Sequence, residues 1–381
     1  MIHLNDNNYK RYNSFNRRKF LRSLALIGAG AAVMPVLSAC SSTSDLTSDH
    51  RDKVRKKGNE AAGQMEAIVS YATLAPSGHN TQPWEYRIKE NTITIYPDYS
   101  RRLPVVDPDD REMFISLGCA LENLVIAAKF AGFNAHAESK FNNGKEDCIV
   151  VSLESREPNK SMGLYDAIKK RQCTRNEYDG KPVPMADLNR MEVMEKEPGV
   201  NCVIISDKKQ ISRITELVKE GDIQQMNDEA FYTELQSWIR FSEGEAEETG
   251  DGLYSKCMGN PSVPRWLGKT IMNIFFGAKG QAEDDEKRIL SSSGIILFAS
   301  EKNDKASWIN TGRTYERWAL TTTMLNIKSA FINQPVEVPS LKKELTSYLS
   351  LGSSIPQLLL RYGYSNPMPY SFRRSLKEVI V

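Results

Sequence analysis

Apolar residues crowd together at Leu24 to Ala39, become sparse from Ser41 to Asn59, and then return with the spacings that mark secondary structure. From Ala61 to Leu74 they recur at helical spacing, and Arg111 to Ala131 is apolar around most of its circumference, which predicts a long, mostly buried helix. Glu85 to Ile88 and Thr92 to Tyr96 read as two short strands joined by the polar turn Lys89-Glu90-Asn91. Strands are predicted near Ala135 to Phe141 and Cys148 to Leu153, then a helix ending in Lys169-Lys170-Arg171, and later a buried strand in Leu358 to Tyr364. The strands pair locally, without the regular strand-helix alternation of a parallel sheet, so the expected class is α+β.

One pattern recurs. Phe114-Ile115-Ser116-Leu117-Gly118-Cys119-Ala120-Leu121-Glu122 returns in outline 194 residues later as Trp308-Ile309-Asn310-Thr311-Gly312-Arg313-Thr314-Tyr315-Glu316, and both copies run on into long helices. This predicts two related halves, 60–160 and 161–381, with room for a site between them. Within the second half lies an excursion, Asp222 to Leu290, with helical spacing over Asp228 to Phe241, an acidic glycine-bearing loop at Glu243 to Gly252, and an apolar helix around Trp266 to Phe276. Segments of this length serve as lids or interface pieces, or simply extend the core; the sequence leaves both open.

Composition changes the reading of the amino terminus. Arg17-Arg18-Lys19-Phe20-Leu21 precedes the apolar run, which is too short and glycine-rich for a spanning helix and ends in Leu37-Ser38-Ala39-Cys40. A charged start, a short apolar stretch and small residues at the end form an export signal, residues 1–40. The paired arginines resemble a twin-arginine signal, and the Leu-Ser-Ala-Cys box resembles a lipoprotein cleavage site with Cys40 as the lipid-bearing residue. The polar stretch 41–59 is then a tether. Gly28-Ala29-Gly30 has no preceding strand and is not a dinucleotide fingerprint. The segment to Cys40 carries six Lys or Arg against Asp6 alone, so the remainder carries about −3 of the chain's +2 and gives no reason to expect nucleic-acid binding. Cys119, Cys148, Cys173, Cys202 and Cys257 lack paired spacing, and the four histidines lie far apart, so neither a disulfide framework nor a metal site is signalled.

The candidate chemistry lies at three places. Ala75-Pro76-Ser77-Gly78-His79-Asn80-Thr81-Gln82-Pro83-Trp84 is a rigid, donor-rich turn at a helix-to-strand joint. Arg171-Gln172-Cys173-Thr174-Arg175 sets two guanidiniums four residues apart, and planar forks converging on one point suit a phosphate or an anionic ring edge. Arg373-Arg374 lies near the carboxy terminus, after Pro367-Met368-Pro369-Tyr370.

Taken together these motifs resemble the FMN-dependent nitroreductase family, over about Glu60 to Val381 and loosely in the excursion. The order, with the turn before the arginine pair, resembles the fused branch, in which one polypeptide imitates the family's homodimer. The resemblance implies a nitroreductase-like fold of antiparallel and mixed sheets flanked by helices, with duplicated halves and one site per chain. It implies that Pro76, Ser77 and Asn80 contact a flavin ring, while Arg171 and Arg175 grip its polar edge and phosphate. Arg373 and Arg374 complete the phosphate site; Gln82 and Trp84 brace the turn. Cys173 stands where the family has Ser or Thr, and a thiol is the poorer hydrogen-bond partner.

The implied activity is oxidoreductase chemistry carried by FMN, passing electrons to a nitro, quinone or similar small-molecule acceptor, with no catalytic residue beyond the flavin itself. The alternative is a flavin-sequestering lipoprotein whose excursion closes as a lid. The export signal implies partnership with the twin-arginine machinery and a periplasmic or cell-surface location on a lipid anchor. Free NAD(P)H is scarce there, so the electron donor stays open.

Overall fold

The computed structural model describes residues 63–141, 146–157, 163–275 and 277–381. The expected export signal, the lipid-bearing Cys40 and the tether lie outside the described residues. The first half runs α1 (Gln64–Ala72), β1 (Trp84–Lys89), β2 (Thr92–Pro97), α2 (Arg111–Ala131), β3 (Phe133–Lys140) and β4 (Cys148–Ser155). The second opens with α3 (Gly163–Ile168), α4 (Met185–Val193), β5 (Val200–Ile205) and α5 (Lys208–Asn227). There follow α6 (Glu229–Trp238), β6 (Ile239–Arg240), α7 (Glu243–Thr249), β7 (Leu253–Tyr254), α8 (Arg265–Phe275) and α9 (Ala278–Leu290). It closes with β8 (Gly294–Ser300), α10 (Lys305–Met324), β9 (Lys328–Phe331), α11 (Gln334–Glu337), α12 (Pro339–Tyr348), β10 (Ile355–Gly363) and α13 (Leu376–Val379).

The fold is α+β and internally duplicated. One antiparallel sheet has the order β1-β2-β4-β3 and the other β5-β8-β10-β9. Replacing β1, β2, β3 and β4 by β5, β8, β9 and β10 converts one into the other, and α2 follows β2 as α10 follows β8. The two long helices pack on each other with reciprocal contacts. A methyl group on Gly118 would fall on the backbone of Ile309, and one on Gly312 on the backbone of Ile115; Gly118 and Gly312, like Ile115 and Ile309, are 194 residues apart. Only glycine permits so close an approach of two helices. The core beside this crossing draws on both halves, including Phe114, Leu117, Leu121, Trp308, Tyr315 and Trp318. Helix α2 is long and apolar enough to cross a bilayer, yet it is mostly buried in this core.

The sheets differ in how they are covered. In β2, buried and half-buried residues alternate, whereas every residue of β8 is buried. One face of β8 presents Ile296 and Phe298 to the shared core; the other gives Ile295 and Leu297 to a second cluster with Ile211, Ile214 and Leu217 of α5 and Ile289 of α9. The excursion is therefore two things. Its far end, α9, packs along α5 and gives Ile289 to this second layer, and 229–275 precedes it. The expected acidic loop is instead helix α7. Ser242 caps it by accepting from the Glu245 amide at 3.3 Å, the Glu245 carboxylate accepts from the Phe241 amide at 2.8 Å, and Gly250 at φ +65° ends it.

The carboxy terminus crosses back to the first half. Ile380 bridges Tyr86 in parallel and the Val381 amide donates to the Tyr86 carbonyl at 2.9 Å, so the last residues extend the first sheet beyond β1. That crossing carries Arg373 and Arg374 to the turn that precedes β1.

Candidate functional site

The turn after α1 is held in an unusual backbone conformation. His79, Asn80 and Gln82 have φ of 46°, 56° and 52°, a region that residues with side chains rarely occupy. Such strain persists only where surrounding contacts fix it. Ser77 Oγ accepts from the Gln82 amide at 2.9 Å. The fully buried Gln82 donates through Nε2 to Gly250 O at 2.8 Å and accepts from the Arg374 amide at 2.9 Å. Asn80 Nδ2 donates to Gly252 O at 3.1 Å and to Phe372 O at 3.2 Å, and its Oδ1 accepts from Arg373 at 2.9 Å. Trp84 is wholly buried in the core. Pro76 and Ser77 are half-buried at the mouth of the turn.

The arginines meet here from far apart in sequence, but they do different work. Arg373 spans the carbonyls that end α1, donating to Thr73 O at 2.9 Å and to Leu74 O and Ala75 O at 3.2 Å. Arg374 donates to Gln82 O at 3.1 Å and Glu378 O at 2.9 Å, with Asp98 at 3.6 Å. Arg171 departs from the expected role of gripping a ligand edge. It is 5% exposed, donates to Leu74 O at 3.1 Å, and its Nε lies 3.3 Å from Glu316. It thus lies beneath the turn as a brace. Arg175 is the half-buried member, its guanidinium held by one long contact to Cys257 O at 3.4 Å. Cys173 pairs through its backbone with Ser329 of β9 and is half-buried.

Burial shapes the charges. His79 is lowered to about 4 by burial and then by the Arg175 charge, so its imidazole is neutral at pH 7, and its enclosed Nδ1 has no hydrogen-bond partner. Glu316 is pushed up to about 7 by burial, against the pull of Arg171. The side-chain amide of Asn123, next to it, also acts to lower it. Arg171 itself is raised: burial, the largest single effect, lowers it, and Glu316 together with Tyr315, Cys119 and Cys173 outweighs that.

These groups fit FMN, the cofactor that the motifs imply. The orphaned Nδ1 of His79 and the loosely held fork of Arg175 offer polar contacts at one wall, and four guanidiniums concentrate positive charge behind it. Several contributors carry no motif. Gln172 pins the Met368 backbone with two 2.8 Å hydrogen bonds and so ties the arginine turn to the carboxy-terminal segment. Asp251 pairs with Arg101 and, at 2.6 Å, with Arg240, anchoring Gly250 and Gly252 over the turn. The only signal for that anchor in the sequence is the Gly-Asp-Gly triplet.

The class defined by this fold is an α+β protein with two antiparallel sheets of matching strand order. No family model matches the chain. Over 330 residues it is 25% identical to Rv3131, a candidate NAD(P)H nitroreductase of Mycobacterium tuberculosis, covering 84% of this chain and 91% of that one. The protein acg of the same organism, another candidate NAD(P)H nitroreductase, is 22% identical over 83% of this chain and 94% of its own. PigM of Serratia, of the same description, is 24% identical over 58% and 67%. Among solved structures, the FMN-dependent nitroreductase NfnB of Mycobacterium smegmatis, in complex with NADPH, aligns with a TM-score of 0.36 at 11% identity, over 55% of this chain and 90% of that one. Iodotyrosine deiodinase bound to FMN and 3-iodo-L-tyrosine aligns at 0.35 with 15% identity, over 55% and 94%.

Proposed function

We propose that the chain is an FMN-binding oxidoreductase of nitroreductase type that passes electrons to a nitro, quinone or similar acceptor. The observation that carries this reading is the meeting of the strained turn at Asn80 with the side chain of Arg373, 293 residues away, in a chain similar over 84% of its length to Rv3131. FMN, when bound, supplies the electron transfer. Arg175 and Arg373 supply positive charge where an anionic ligand is bound. His79 stays neutral, so its Nδ1 offers a hydrogen bond without adding charge. Arg171 positions the end of α1, and Asp251 holds the 250–252 segment against Asn80 and Gln82.

The chain reads best as the fused branch, with one complete site. The matching strand orders support this, since each sheet repeats the other while the turn and the arginine pair each occur once. Arg17-Arg18 and the Leu-Ser-Ala-Cys box support export by the twin-arginine route and a lipid anchor at Cys40. Protein purified after native export tests the whole reading. It is expected to be yellow, with one FMN per chain, bleached by a reductant and recovered on adding a nitroaromatic or a quinone. Bound flavin that resists both would favour sequestration, and a colourless protein that takes up no FMN would end the proposal.

A further inference from the structure

The crossing of α2 and α10 exchanges positions that are 194 residues apart, and this relation leads to a second site. Glu316 lies beneath the proposed flavin site beside Arg171; its counterpart, Glu122, opens onto a separate cavity of ≈ 320 Å³. That volume falls in the range of small-molecule pockets, about 300–1,000 Å³. One wall is apolar, with Val125 and Ile126 of α2 beside Leu164 of α3. It continues into Phe130 and Tyr165, half-buried rings stacked 3.7 Å apart and 7° from parallel. Facing it are Glu122, Arg313 and Arg317, with the exposed Lys129 and the exposed Glu195 also lining the cavity.

The cavity is not a second flavin site. Where the strained, donor-rich turn precedes β1, the chain before β5 reads Glu195-Lys196-Glu197-Pro198-Gly199. Where the proposed flavin site has the neutral Asn123, the counterpart position has Arg317, and its guanidinium is taken by Glu122 at 2.8 Å and Glu197 at 2.9 Å. Arg313 is drawn to the same two carboxylates at 3.1 and 3.0 Å. The acids thus offset the arginines, which disfavours a doubly charged phosphate. Lys129 and the outer edge of Arg313 remain as donors for a single negative charge; because Tyr165 stacks on both Phe130 and, at 4.5 Å, Tyr71, the aromatic wall meets a planar ligand through Phe130 and the edge of Tyr165.

We propose that this cavity binds a small planar aromatic carboxylate, one per chain, with the ring against Phe130 and Tyr165 and the carboxylate at Lys129 and Arg313. Equilibrium dialysis of 2-naphthoate against the full chain loaded with FMN tests it. Saturable binding at one site per chain is expected. Phe130→Ala and Lys129→Glu are each expected to weaken it at least tenfold while flavin content is unchanged. The cation 2-naphthylmethylammonium is expected to bind at least tenfold more weakly. Lys129 is exposed, so its variant carries the test even where Phe130→Ala fails to fold. Absence of saturable binding overturns the proposal. So does binding that survives Lys129→Glu but is lost in Arg373→Ala, which would put the probe in the flavin site. Equal binding of the cation overturns the charge assignment and the proposal with it.

Discussion

Gly312→Ala tests the helix crossing on which the duplicated architecture rests. In the wild type the α10 backbone at Gly312 lies against α2, where Cys119 Sγ donates to Gly312 O at 3.3 Å. An added methyl would lie 2.9 Å from the carbonyl carbon of Ile115, 3.0 Å from the amide nitrogen of Cys119, and closer still to the Ile115 oxygen. Relief requires the two helices to part by about 1 Å, because the obstructing atoms are backbone and cannot rotate away, and overpacking of this kind costs about 1–3 kcal/mol. The substitution also returns about 1 kcal/mol of helix propensity. The upper part of the cost range applies in a crossing between two buried helices, leaving a net loss of about 2 kcal/mol. Urea unfolding should show a lower midpoint at unchanged slope. FMN affinity should fall with it, since Glu316, one turn on from Gly312 in α10, pairs with Arg171 beneath the turn. Gly280→Ala is the control: it lies in α9 with nothing within 4 Å of the new methyl, so propensity alone should act and stability should rise slightly. A Gly312→Ala protein as stable as the Gly280→Ala protein would refute the close crossing.

Arg373→Ala removes contacts to Asn80 and to the last carbonyls of α1 and should loosen FMN at least tenfold, about 1.4 kcal/mol, by flavin fluorescence titration; unchanged affinity would count against the site. Asp251→Ala leaves the 8%-exposed Arg240 without its carboxylate, a loss of about 3–5 kcal/mol where the pair is fully buried. Faster amide exchange across 238–258 is the expected readout, and unaltered exchange would show that Asp251 does not anchor the segment. Asp222 is pushed up to about 8 by burial and then by Asp285, so its folded-state value lies above the ordinary 3.8. Between those values the folded chain holds the extra proton, so this group's contribution to stability falls as pH rises from about 4 to 8. Asp222→Asn should flatten that slope and be more stable than the wild type by about 1 kcal/mol or more at pH 9; an unchanged slope would exclude Asp222 as its source.

Much of the local structure was legible. Helix Arg111–Ala131 has the predicted bounds because an apolar run ending in Gly132, here at φ 91°, carries its own stop signal. The strand pair around Glu90 and the 194-residue repeat were equally local patterns. Helix α7 was missed because an acidic, glycine-bearing stretch reads as loop unless the Ser242 cap and its Glu245 partner are weighed. The division of labour among the arginines was not legible at all. Arg171 and Arg175 share one motif, yet one is buried under α1 and the other is half-buried.

By itself the sequence determined the class of the fold, its duplication, and the three segments where donors are concentrated. Periodicity, caps and glycines act over a few residues and are written where they act. The tertiary structure alone decided which donors are used and which are spare. A guanidinium accepts any carbonyl as partner, so the choice between the end of α1 and an incoming ligand depends on where a chain 300 residues away returns. The same holds for the cavity beside Phe130. Its walls come from α2, α3, α10 and the segment before β5, and only the packing of α10 on α2 brings them together.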